Sequence, residues 1–183
     1  MKKLAFPILI IAILLSSCSA SGLRLTERQQ IGSVSFQSVD GYSVETDNEG
    51  SIFIGSPDAE ISVFMIVLPN DYFDARMTPT MVGGEYPEEV IPFDILVFLG
   101  FVNIELDAIH RYHNGDHIGY SRSFTSSSDG GDPIEGEYLF YTVGENTFIA
   151  MGSVVRVEGE NRWDPQGKAA YDAIIESVQF AEN

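Results

Sequence analysis

Residues 137–157 read EYLFYTVGENTFIAMGSVVRV, two apolar, β-branched and aromatic runs on either side of Gly144-Glu145-Asn146. Tyr, Phe, Val and Thr fit a pleated, half-buried surface, and glycine with asparagine ends it. Glu137–Val143 and Thr147–Val157 are therefore predicted to be strands paired across that turn. Just upstream, Ser127 to Pro133 (Ser-Ser-Asp-Gly-Gly-Asp-Pro) is a polar loop. Before it, Asp116–Ser126 is predicted to return against an alternating segment, Ile104–Ile109. Asn114-Gly115 between them is the strongest short hairpin signal in the chain.

The same period of two runs through the first third. Val34 and Phe36 alternate with polar neighbours up to the Asp40-Gly41 turn. Tyr42–Thr46 and Ser51–Gly55 flank a second turn, Asp47-Asn48-Glu49-Gly50. Ser56-Pro57-Asp58-Ala59 then precedes Glu60–Leu68, whose centre Val63-Phe64-Met65-Ile66-Val67 is apolar enough for a central strand. Two segments break the pattern. Pro87-Glu88-Glu89 leads into the nearly all-apolar run Ile91–Val102, which predicts a core helix near 88–101 with Pro92 in its first turn. Trp163-Asp164-Pro165 offers an aspartate cap and a first-turn proline. Ala170, Tyr171, Ile174, Ile175 and Val178 then form a helical stripe. The expected class is α+β: a mostly antiparallel sheet built from hairpins, with helices packed on it.

The N-terminus has a different character. Lys2 and Lys3 precede Leu4–Leu15, an uncharged run of about 18 Å as a helix, too short for a hydrocarbon core of about 30 Å. It suits the apolar region of an export signal. Leu15-Ser16-Ser17-Cys18 follows and resembles the lipobox of bacterial lipoproteins. That resemblance implies diacylglyceryl transfer to the Cys18 sulfur and cleavage after Ser17. Cys18 is the one cysteine of the chain, so no internal disulfide forms. The expected organisation is a signal peptide over 1–17, a lipidated cysteine and polar tether over 18–33, and a single domain over 34–183. The expected location is the cell membrane or outer membrane, with the domain facing the periplasm or the exterior.

The 183 residues carry 27 acidic against 10 basic side chains, a net charge of −17. Loss of Lys2 and Lys3 with the leader leaves 8 basic residues and −19. Such a surface repels phosphate backbones and anionic headgroups, which excludes nucleic acid as a partner and leaves lipid to hold the protein at a membrane. The acids are spread along the chain, as on a solvated folded surface. A saline habitat and recruitment of calcium are both readings of that composition.

All three histidines, His110, His113 and His117, cluster with Asp107 and Asp116. With Asn114-Gly115 as a two-residue loop, Tyr112 pairs with His117 and His113 with Asp116. His110, Tyr112 and His117 then share one face. The three imidazoles do not converge on one ion in that register. His110 and His117, as diagonal neighbours about 7–8 Å apart, would make a two-ligand site for a divalent metal. Asp129-Gly130-Gly131-Asp132 offers oxygens to calcium but lacks the alternating ligands of an EF-hand. No Gly-x-Ser-x-Gly and no phosphate-cradling glycine loop occurs. Paired acids such as Glu88-Glu89 or Asp94 arise by chance in so acidic a chain, so no catalytic residue is assigned and no enzyme is expected.

The element order, from the early strand pair through Gly55-Ser56-Pro57, the strand Ile61–Leu68, a helix and two hairpins to the closing segment Ala169–Val178 with Phe180 beyond, resembles the PsbP-like fold. That fold is named for an extrinsic subunit of photosystem II and is shared with a Ran-binding import factor and several bacterial lipoproteins. The resemblance spans about Val34 to Phe180 and implies a non-enzymatic domain that docks on a larger assembly, without catalytic residues or a cofactor. The expected function is a lipid-anchored envelope module that binds a protein partner. The alternative is a metal- or small-ligand-binding lipoprotein that uses the His110–His117 hairpin or the acidic surface. A hydrolase would require a pocket with a polarised nucleophile.

Overall fold

The structure, a computed structural model, describes residues 22–70, 96, 97, 99–155 and 162–181. Eleven strands are defined among them. Gln29–Ile31 (β1), Val34–Phe36 (β2) and Gln179–Phe180 (β11) form a small antiparallel sheet with β2 in the middle. The large antiparallel sheet begins with Ser43–Thr46 (β3), Ile52–Gly55 (β4) and Ile61–Pro69 (β5). It continues through Asn146–Val155 (β10), Pro133–Val143 (β9) and His117–Ser127 (β8). Val102–Leu106 (β6) and His110–Asn114 (β7) both pair with the outer edge of the long strand β8.

Both faces of the large sheet are apolar, which explains the near-continuous burial of β9 and β10. One face presents Ile52, Ile54, Val63, Met65, Phe148 and Ala150 to a single described helix, Lys168–Glu176 (α1), and to Val34 and Phe36 of the small sheet. The other carries Phe64, Ile66, Tyr138, Phe140, Ile149 and Met151 under Leu96, Leu99 and Phe101. Gly152 marks the closest approach of helix to sheet: a β-carbon there would lie 2.5 Å from Tyr171 and 2.8 Å from Trp163. The rings of Trp163 and Tyr171, tilted by 47° with centroids 5.9 Å apart, fill the space that the glycine leaves.

Several expectations are corrected. The folded chain begins before Val34: Leu25 bridges Val39, β1 pairs with β2, and Arg28 donates to the Ser177 carbonyl at 2.7 Å. Leu23, Leu25 and Ile31 are the apolar residues of that segment, and each packs against the main core. Ile104–Ile109 is not one strand. Its chain leaves β8 after Leu106 and re-enters as β7, with Arg122 Nε donating to the Asp107 carbonyl at the break. Asp164 does not cap the last helix. It is extended, at φ −106° and ψ 119°, within an irregular turn over Trp163–Gly167, and α1 starts only at Lys168.

Most of the helix expected over 88–101 lies outside the described residues, as do Glu88, Glu89 and Asp94. Leu96 and Val97 are helical and Leu99-Gly100 is a turn. The end of the apolar run, Val102, belongs to β6.

Candidate functional site

The hairpin that carries the histidines is the first place to build a site. Its loop is Gly115-Asp116, one residue beyond the expected pair. Asn114 stands opposite His117, His113 opposite Ile118, Tyr112 opposite Gly119, and His110 opposite Ser121. Gly115 takes the positive φ, 58°, that the first loop position requires, and Gly144 repeats the device at 60° with Glu145 beside it. Asn114 is freed from the turn, and its Nδ2 donates to the Tyr141 hydroxyl at 3.3 Å.

This register separates the proposed ligands. His110 and His117 stay on one face but lie four rungs apart on the ladder, about 13 Å at ~3.3 Å per residue, too far to share an ion. His117 stacks on Tyr141 at 5.3 Å and meets Phe180 edge-on at 5.7 Å. Its imidazole is thus part of an aromatic cluster that ties the hairpin to β11. Among the described residues no three His, Cys, Asp or Glu side chains are grouped to hold a metal. The Asp129–Asp132 loop closes on itself instead: Ser128 Oγ meets Asp132 Oδ2 at 3.3 Å and receives the Asp132 amide at 3.1 Å. Cys18 lies outside the described residues.

A second polar centre went unread in the sequence. Arg162 pairs with Asp58 at 3.0 Å and also with Glu60, while Ser56 Oγ donates to Asp58. That hydroxyl and then the guanidinium hold the Asp58 carboxyl below its ordinary range. Beside them opens a cleft of about 490 Å³ lined by Leu23, Tyr42, Ile61, Pro165 and Ala169. Burial, and then Asp58, push the Tyr42 phenol up. The ion pairs join the β4–β5 turn to the segment before α1, residues about a hundred positions apart, and no local motif announces that meeting.

A third centre lies where α1 overlooks β7–β9. Lys168 Nζ meets Glu137 at 3.1 Å and Asp172 at 3.0 Å. Tyr112, half-buried across from them, has its phenol pushed up to about 12, first by burial and then by Glu176, Asp172 and Glu137. Among the described residues no histidine is hydrogen-bonded to a serine or a carboxylate, so a relay of the Ser-His-Asp kind is not assembled there.

No protein-family model matches the sequence, and no curated protein matches it. Solved structures match its fold. CyanoP, the cyanobacterial PsbP of Synechocystis sp. PCC 6803, is similar at 14% identity and TM-score 0.58, over 91% of this chain and 99% of that one. The Saccharomyces cerevisiae Ran-binding protein Mog1p is similar at 9% identity and TM-score 0.57, over 86% and 96% of the two chains. A Bacteroides thetaiotaomicron structure aligns at 11% identity and TM-score 0.48, and this chain spans 46% of its length. The α+β fold is therefore PsbP-like, shared with Mog1p.

Proposed function

We propose that this chain is a lipid-anchored envelope protein whose single domain docks a protein partner and catalyses no reaction. The observation that carries this reading is the sealing of both faces of the large sheet by the chain's own side chains. Recognition is then left to the outer surface, where an acidic shell surrounds a few exposed apolar side chains such as Ile118. The fold is shared with Mog1p, a Ran-binding protein, and with a PsbP protein, and that likeness supports a binding role. His110 and His117 stand four rungs apart on the β7–β8 ladder, which favours this reading over a shared metal ion.

The anchor rests on Leu15-Ser16-Ser17-Cys18. Acylation at Cys18 by two chains gives stable membrane attachment, since each buried methylene contributes about 0.8 kcal/mol. The test is crosslinking and pull-down from intact envelopes of the native host, with the acylated N-terminus checked by mass spectrometry. A reproducible partner, lost when surface acids are neutralised, is the expected result. Recovery of nothing reproducible, or a Met1-bearing unmodified chain, removes the reading.

A further inference from the structure

Strand β3 is one end of the large sheet. Its inner side pairs with β4 and, among the described residues, no strand pairs with its outer side. Ser43, Glu45 and Thr46 are exposed there. Alternate residues serve the two sides of an antiparallel strand, so β3 turns about two N–H and two C=O groups outward to water. The opposite end of the sheet is guarded. β6 carries a register shift between Val102 and Glu105, with Asn103 at φ 53°, and the chain leaves β8 between β6 and β7. Bulges and breaks of that kind spoil an edge as a template for a further strand. β3 has neither, and pairs in regular register from Ser43 to Thr46.

A groove starts at the same edge. On the face turned away from α1, Ser43, Gly55, Ser62 and Ser153 form one rung across β3, β4, β5 and β10. The next rung is Glu45, Phe53, Phe64 and Met151. Small residues beside large ones leave a channel of about 280 Å³ that runs inward from β3. Phe53 meets Phe64 at 5.1 Å and stays 39% exposed, although Phe64 is buried. On the other face, Val44 stands opposite Ile54 and packs on the main core. An added strand would thus find apolar surface on both faces. Charge narrows what that strand is. Glu45 is the one charged side chain of β3, and Asp47 and Glu49 follow in the next turn. A second copy of the chain brings the same acids and the same net charge of −17, so pairing of β3 with itself sets like charges together.

We propose that β3 is extended by an antiparallel strand from a protein partner. That strand carries a basic residue opposite Glu45 and an aliphatic one opposite Ser43, whose side chain lies in the groove against Phe53. Backbone hydrogen bonds hold a strand added in this way, and the side chains that meet the groove and the acid select it. The register at β3 fixes which positions those are, because Ser43 and Glu45 share the groove face while Val44 faces the main core. The proposal rests on the docking reading above and names the element and the chemistry that the partner must bring.

The experiment is an NMR titration of the full chain in zwitterionic nanodiscs, with the peptide acetyl-Thr-Lys-Val-Leu-Thr-amide as the probe. The expected result is saturable shifts centred on β3, Phe53 and Phe64, with slowed exchange of alternate amides in β3. N-methylation of one alternating set of probe residues is expected to abolish binding, and of the other set to spare it. Equal loss from both sets overturns the proposal. Exchanging the probe's lysine for glutamate is expected to weaken binding about fivefold, the upper weight of one cross-strand charge pair, and Glu45→Lys to invert that preference. Gly55→Val fills the groove without crowding, since a β-carbon there lies 3.4 Å from Ser43 Oγ. It is expected to weaken the leucine probe and to leave the weaker binding of an alanine analogue unchanged. Shifts at β6 and β7 instead, or a response indifferent to the probe's charge, overturn the proposal. If β3 ignores the probe while envelopes still yield a partner that Glu45→Lys does not release, this proposal fails and the docking reading stands.

Discussion

Gly152 and the two rings above it show how closely one side chain's size is set by its neighbours. A β-carbon at that position meets Tyr171 at 2.5 Å and Trp163 at 2.8 Å, and both rings are buried, so neither has room to retreat. Gly152→Ala is expected to destabilise the domain by about 1–3 kcal/mol, the usual cost of overpacking, read as a lower urea midpoint. An unchanged midpoint would mean that α1 is not seated where it is described. The tyrosines give a separate readout in pH. Tyr112 is pushed up to about 12, and Tyr171, fully buried, is raised well above its ordinary value, chiefly by burial. A raised folded-state value means that the native protein holds these protons more tightly than the unfolded chain. Their contribution is therefore complete below about pH 10 and is lost as pH rises through the folded values. Urea midpoints are expected to fall from pH 10 upward, with phenolate absorbance delayed to the same range. Tyr112→Phe is expected to flatten the first part of that decline, and an undiminished decline in that variant would assign it elsewhere.

The β7–β8 hairpin shows how one residue of register decides what a sequence can say. Asn-Gly and Gly-Asp are both two-residue loop signals, and Asn114-Gly115-Asp116 contains each. The fold uses the second, because Asn114 gains a partner in the Tyr141 hydroxyl and Gly115 supplies the positive φ. Which pair wins depends on a tyrosine twenty-seven residues away, and so it was not legible locally. Gly115→Ala is expected to cost about 1–2 kcal/mol, since a β-carbon is strained at that φ, and to speed amide exchange in β7 and β8 ahead of β9 and β10. Uniform exchange across the sheet would contradict this order. The hairpins, the central strand β5 and the apolar stripe of α1 were readable because their periods reflect burial by the nearest layer. β1 was not, because Gln29 and Gln30 read as solvent-facing, and only pairing with β2 gives their backbone a use. The start of α1 was misread for a similar reason: Trp163 is drawn into the dimple at Gly152, and this takes Asp164 out of the capping position. The Arg162 ion pairs join residues about a hundred positions apart, which neither spacing nor composition encodes.

Charge acts on the molecule as a whole. The 183 residues carry a net charge of −17, and Lys168 is the one lysine beyond Lys3. Two of its basic residues, Arg162 and Lys168, are each held between two carboxylates, so they relieve local repulsion and leave the wider field unbalanced. Self-repulsion of that kind opposes the compact state and is screened over about 10 Å at 0.1 M salt and about 3 Å at 1 M. Raising sodium chloride from about 0.05 to 0.5 M is therefore expected to raise the melting temperature, with most of the gain at the lower end, where the screening length changes fastest. A flat or falling curve would show that the acids are already compensated in the fold. The same field bears on the proposed anchor. An acidic domain gains nothing from anionic headgroups, so with acylation removed no force on its surface would keep it at a bilayer. Cys18→Ser is accordingly expected to move the protein to the soluble fraction at every salt concentration. Residual membrane binding that weakens with salt would instead reveal a cationic contact hidden in the acidic surface, and the docking reading would have to be rebuilt around it.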